Sequence, residues 1–107
     1  LSFYCFKDSS FIVSNSNLAS KINMIPYAKA SIPIAAGDDF YAYIPVSIDT
    51  SVYKLICPIL SDVTGDNCTK IIISTCKWKD GQVYIMGNNQ ASGAANINLS
   101  GTILVIK

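Results

Sequence analysis

Turn signals recur about every ten residues along this chain, and they leave no room for a helix of three turns. Between them lie runs rich in Ile, Val, Thr, Tyr and Phe: residues 40–48 (FYAYIPVSI), 53–60 (YKLICPIL), 70–78 (KIIISTCKW), 82–86 (QVYIM) and 101–106 (GTILVI). Branched and aromatic side chains of this kind suit a pleated, half-buried surface. The charged residues point the same way. All eight basic residues are Lys, all seven acidic ones are Asp, and Glu, Arg and His are absent. Glu and Arg are good helix formers, whereas Asp favours caps and turns. The spacing predicts a single all-β domain over residues 1–107, an antiparallel β-sandwich of jelly-roll type with about eight to nine short strands.

Along the chain, residues 1–6 (LSFYCF) read as a strand, 7–10 as a turn, 11–13 as a second short strand and 14–20 (SNSNLAS) as a polar loop, with room for one helical turn near 16–22. Residues 21–34 are apolar, and Pro26 and Pro33 mark an edge strand, a bulge or strand ends, because proline has no N–H to give a ladder. Pro45 carries the same message for 40–48. Residues 35–39 (AAGDD) and 61–67 (SDVTGDN) are turn and loop sequences. The uninterrupted β-branched run 70–78 predicts a central strand. Lys79-Asp80-Gly81 then makes a tight turn back into 82–86, since Asp-Gly between strand sequences is a strong hairpin signal. A loop follows over 87–95, and 96–99 and 101–106 read as two closing strands, the last of buried type.

Several function classes are disfavoured at this level. A net charge of +1, scattered lysines and the lack of Arg give no footprint for nucleic acid. No apolar run reaches the ~20 residues that a spanning helix needs, so no membrane insertion is expected. Residues 1–6 are too short for a signal peptide and have no basic flank. The chain begins at Leu1 rather than Met and therefore reads as the C-terminal fragment or processed piece of a longer protein. Half of the residues are apolar and 14% are charged, against ~25% in an average soluble domain. Either a partner chain covers part of the surface, or Ser, Thr and Asn coat it.

The four cysteines, Cys5, Cys57, Cys68 and Cys76, allow two disulfides in any of three pairings. There is no CxxC unit and no His, which argues against structural zinc. The chain is not cysteine-dense, so free thiols are the expectation, with Cys57 and Cys76 acting as small core hydrophobes. Cys68 and Cys76 bracket a short strand and are the pair to watch.

Catalytic chemistry finds little support. General acid–base work near neutral pH calls for His or a carboxylate of shifted pKa. Asp8, Asp38, Asp39, Asp49, Asp62, Asp66 and Asp80 all fall in predicted turns, where Asp bonds local backbone. The adjacent Asp38 and Asp39 would point to opposite faces of a strand. Asp62, Thr64, Asp66 and Asn67 have the ligand types for calcium but not the register of an EF-hand. Lys77 adjoins Cys76 but would lie on the opposite face, so the thiol gains no activating neighbour. No catalytic residue, metal or cofactor is expected. The aromatic residues remain as binding candidates. Trp78, beside the hairpin turn, either stacks on a sugar ring or packs into the core. Tyr27, Tyr41, Tyr43, Tyr53 and Tyr84 are likewise rim or core residues. Asn67-Cys68-Thr69 and Asn98-Leu99-Ser100 match the glycosylation sequon, a frequent coincidence in an Asn-, Ser- and Thr-rich chain.

The second half follows a recognisable order. The strand 53–60 leads to Gly65-Asp66-Asn67, then to a strand ending in Lys77-Trp78 and the Asp80-Gly81 turn. Gln82-Val83-Tyr84-Ile85, Asn88-Asn89 and Ser100-Gly101-Thr102-Ile103-Leu104-Val105-Ile106-Lys107 complete it. This resembles the C-terminal ends of bacteriophage and prophage tail-fibre and baseplate proteins, over about residues 53–107 and more weakly from Met24. The resemblance rests on strand order rather than on a diagnostic motif, and the four cysteines depart from it. It implies a β-sandwich head at the virion tail tip that forms a homotrimer and binds a host-surface glycan or protein receptor. It carries over no catalytic residue. Exposure near loops nominates Trp78, Asp80, Asn88 and Asn89 as ligand contacts. The competing expectation is a carbohydrate-binding or adhesin module of a secreted or cell-surface bacterial protein.

Overall fold

Two tight turns show how local sequence sets the architecture. At Lys79-Asp80-Gly81-Gln82, Asp80 (φ 52) and Gly81 (φ 82) both adopt positive φ, the signature of a type I′ hairpin turn. Its twist matches that of the flanking strands, which pair antiparallel from Lys79↔Gln82 through Lys77↔Tyr84 to Ile71↔Asn89. At residues 35–38 the amide of Asp38 donates to the Ala35 carbonyl (3.1 Å) and reverses the chain between two further strands. In the computed structural model, which describes residues 21–107, these turns lie among six strands: β1 (Ile22–Ile34), β2 (Asp39–Pro45), β3 (Leu55–Asp66), β4 (Ile71–Lys79), β5 (Gln82–Asn89) and β6 (Ala95–Ile106). A 3₁₀ turn, Cys68–Lys70, joins β3 to β4. The strands, turn and loop expected over residues 1–20, with Cys5 and Asp8, lie outside the described residues.

The strands form two three-stranded antiparallel sheets, ordered β1-β6-β3 and β2-β5-β4. Alternation puts one face of each against the other. Tyr27, Ile32, Ile34, Leu60, Ile97, Leu99, Ile103 and Val105 from the first sheet meet Phe40, Ala42, Ile44, Cys76, Val83 and Ile85 from the second in one buried cluster. Each fully buried Val, Ile or Leu contributes about 1.5–3 kcal/mol, so this shared core holds the sandwich together. Tyr27 lies across Gly101, and its hydroxyl donates to the Ile59 carbonyl (2.8 Å) and meets the Cys76 sulfur at 3.9 Å. A second cluster occupies the outer face of the first sheet. There Cys57, Leu104 and Ile106 are buried, with Ile22, Leu55 and Ile59 packed against them.

The all-β sandwich agrees with the sequence, and several details correct it. Eight to nine strands become six among the described residues, three in each sheet. One reason is that 96–99 and 101–106 form a single strand, β6, which runs through Ser100 and Gly101 without a break. The predicted 61–67 loop is also strand. β3 continues to Asp66, paired with Asn96 after a register shift between Leu60 and Asp62, so Asp62 and Asp66 sit on a strand rather than in a turn. Gly65 permits this: its φ is +108, and a Cβ there would collide with the Asn96 carbonyl. Among the described residues the run 70–78 is not central. β4 stands at the edge of the described sheet, and its bulge between Ile73 and Thr75 leaves Ile72 57% exposed. The central strands are β5 and β6. Pro26 and Pro33 in β1 and Pro45 in β2 lie on strands at the edges of the described sheets, where proline is best tolerated.

Candidate ligand-binding face

The outer face of the β2-β5-β4 sheet is built by simple alternation. Phe40, Ala42 and Ile44 of β2 point to the core, so Tyr41 and Tyr43 point out, 56% and 45% exposed. In β5, Val83 and Ile85 are buried and Tyr84 and Met86 face outward. In β4, Cys76 is buried and Lys77 and Lys79 are exposed. Register brings these positions together, because Tyr84 pairs with Tyr43 on one side and with Lys77 on the other. The Tyr43 and Tyr84 ring centroids are 4.9 Å apart at 31°, and Tyr41 stacks on Tyr84 at 6.5 Å and 13°. The Nζ atoms of Lys77 and Lys79 lie 5.6 Å and 5.7 Å from the Tyr84 centroid, within cation–π range. The Tyr84 hydroxyl donates to the Met86 sulfur (3.5 Å). Partial desolvation and then the neighbouring tyrosines Tyr43 and Tyr41 raise the Tyr84 pKa, so its phenol stays protonated at neutral pH.

Next to this ridge the same face holds a shallow depression of about 210 Å³, lined by Asp39, Ile72, Ser74, Met86, Gly87 and Asn88. The β4 bulge shapes its wall and lets Ser74 Oγ donate to the Met86 carbonyl (3.1 Å). At its end Asn88 Nδ2 donates to Asp39 Oδ1 (2.8 Å) and to the Gly37 carbonyl (3.1 Å), while Gln90 Nε2 donates to Asn88 Oδ1. The face therefore offers stacked phenol rings, two ammonium groups, and an amide–carboxylate pair. Among the described residues, no three carboxylates, thiols or imidazoles converge as metal ligands.

The four nominated contacts fall in different places. Trp78 alternates with Lys77 and Lys79, so it turns inward, half-buried against the shared core. Asp80 is exposed at the hairpin tip. Asn88 lines the depression. Asn89 is fully buried, and its Nδ2 donates to the carbonyls of Ile34 (3.1 Å), Ala35 (3.3 Å) and Gly93 (3.1 Å). Its Oδ1 accepts from the Ala91 amide (2.9 Å), so every polar atom of that side chain holds backbone. Trp78 pairs with Val83 and Ile72 pairs with Asn88, so the two ends are five residues apart along β5, about 17 Å at ~3.4 Å per residue. They do not form one site.

The cysteine reading also changes. Cys57 is disulfide-bonded rather than a free core hydrophobe. Cys68 and Cys76 are both free, so the pair bracketing β4 is not bridged. The sequon asparagines use their amides structurally. Asn67 Nδ2 donates to the Ala94 carbonyl (2.8 Å), and Asn98 accepts from the Ser31 amide (3.0 Å) and donates to Thr64 Oγ1 (3.3 Å).

The chain matches no protein-family model, no curated protein and no solved structure. The functional reading therefore rests on the geometry of this face and on the strand order of the sequence.

Proposed function

We propose that this chain is a binding domain without catalytic activity, the head of a virion tail-fibre or baseplate protein that recognises a host-surface glycan through the outer face of β2-β5-β4. The observation that carries this reading is the ridge of Tyr41, Tyr43 and Tyr84. Tyr41 and Tyr43 each lie against Tyr84 on the outside of a sheet, and both are about half exposed. Rings left in water are costly unless something covers them, and a flat aromatic surface suits the C–H face of a sugar. The head assembles as a homotrimer in this reading. Low surface charge and the exposed apolar Met24, Val52 and Ile72 support burial against neighbouring subunits.

A second reading, a carbohydrate-binding or adhesin module of a secreted or cell-surface bacterial protein, has one observation in its favour. Cys57 is disulfide-bonded, and disulfides persist in oxidising compartments. Both readings use the same face. Static light scattering at micromolar concentration separates them: a trimer supports the fibre head, and a monomer removes it in favour of the module. Glycan-array screening of the purified chain, repeated with Tyr43→Ala, tests what they share. Glycan signals lost in the variant support the face, and signals unchanged in the variant remove the face from the account.

A further inference from the structure

We infer that the saccharide taken by this face is anionic, its carboxylate or phosphate held by Lys77 and Lys79 while its ring stacks on Tyr41 and Tyr43. The inference deepens the glycan-binding reading and rests on it.

Three observations carry it. First, both lysines project from the outward positions of β4 on either side of Trp78, and both ammonium groups lie over one ring, Tyr84. Two like charges gathered over one phenol create a local positive field on a chain whose net charge is only +1. Second, no carboxylate among the described residues forms an ion pair with either ammonium, so their charge is not already neutralised. Third, Asp39, the one acid at an outward strand position of this face among the described residues, is engaged by Asn88 at the far end of the sheet, next to the depression. Asp39 pairs with Asn88 and Pro45 with Gln82, so the acid and the Lys79 row stand about six residues apart along β5, roughly 20 Å.

The exposed rings and the ammonium groups therefore present complementary chemistry side by side. Tyr41 and Tyr43 on β2 offer apolar faces, and Lys77 and Lys79 on β4 offer charge-assisted donors, with Tyr84 on β5 between them. Single-stranded nucleic acid uses a similar combination of stacking and charge. Among the described residues the ridge gathers two cations, Lys77 and Lys79, and the chain has no Arg, which favours a saccharide with spaced charges over a polyphosphate backbone.

The test is calorimetric titration of the full chain with four saccharides and one oligonucleotide. An α-1,4-oligogalacturonide is compared with its methyl ester, which keeps the rings and removes the carboxylate charge. Maltohexaose is compared with its 6-phosphorylated form, which separates phosphate from carboxylate as the source of charge. A (dT)12 strand serves as the alternative ligand. The expected result is that at least one anionic form binds about tenfold more tightly than its neutral partner and weakens between 50 and 200 mM salt. The double variant K77Q/K79Q, at exposed positions that leave the core intact, loses that preference and keeps neutral-sugar binding. Tyr43→Ala loses both. Equal binding of charged and neutral partners overturns the charge inference and leaves the glycan reading standing. No binding of any saccharide overturns both. Tighter binding of (dT)12 than of every saccharide replaces the saccharide with nucleic acid.

Discussion

Asn89 shows how one polar residue can hold several elements in place. Its side-chain amide reaches carbonyls on β1, on the turn after β1 and on the loop before β6, and its backbone amide donates to Asp38. Asn89→Ala removes those donors from a fully buried site. At about 1–3 kcal/mol for each buried group left unsatisfied, the expected loss is roughly 2–4 kcal/mol, read as a lower urea midpoint with an unchanged slope. Asn88→Ala, one residue away on the exposed side, should leave stability nearly unchanged. The Tyr27–Cys76 contact makes a second residue-scale prediction. Burial raises the Tyr27 pKa, with the Cys76 sulfur adding to it, and burial raises the Cys76 thiol above its ordinary value of 9.0. In the folded state both groups keep their protons to higher pH than in the unfolded state. Their contribution to stability is therefore complete below about pH 9 and is lost as pH rises through the folded values. Thermal melts from pH 7 to 11 should show alkaline destabilisation that Cys76→Ala and Tyr27→Phe each make shallower.

The elements were legible in the sequence wherever a local signal fixed them. The Asp80-Gly81 turn specifies its hairpin and, through two-residue register, places Lys77 opposite Tyr84. Alternation in 40–45 puts Tyr41 and Tyr43 on one face. The sequence does not place β2 beside β5, because 36 residues separate Pro45 from its partner Gln82 and no local rule pairs them. Half of the aromatic ridge was therefore readable and its assembly was not. Trp78 stands near a loop at a strand end, where Trp more often packs into the core, and its alternation with Lys77 and Lys79 turns it inward. The length of β3 escaped for a different reason. Ser, Asp, Thr and Gly read as loop by propensity, but pairing along β6 overrides propensity. Gly65 and Gly81 test that account. Both have positive φ, but a Cβ at Gly81 meets nothing, whereas one at Gly65 meets the β6 backbone. Gly81→Ala should cost about 1–2 kcal/mol, the ordinary left-handed penalty. Gly65→Ala should cost clearly more and loosen amide protection on both sides of the Thr64–Asn98 pairing, which hydrogen exchange reads directly.

At the largest scale the described residues form a thin slab of 49 × 26 × 17 Å with a radius of gyration of 15.3 Å. A slab two sheets thick has a large surface for its volume, so the core between the sheets supplies limited stability. One outer face carries the tyrosine ridge. The other carries the Cys57, Leu104 and Ile106 cluster, and Cys57 is disulfide-bonded within it. A covalent link at that position restricts the unfolded chain and offsets the limits of a thin core. Cys57→Ala should lower unfolding free energy by about 2–4 kcal/mol, and dithiothreitol should lower the melting temperature of the parent chain without affecting the variant. Cys68→Ala, at a half-exposed free thiol, should be nearly neutral. Mass-mapped alkylation distinguishes the three sites: Cys68 is labelled in the native protein, Cys76 only on unfolding, and Cys57 only after reduction. Labelling of Cys57 without reductant would remove the covalent link, and with it the observation favouring a secreted module over a virion head.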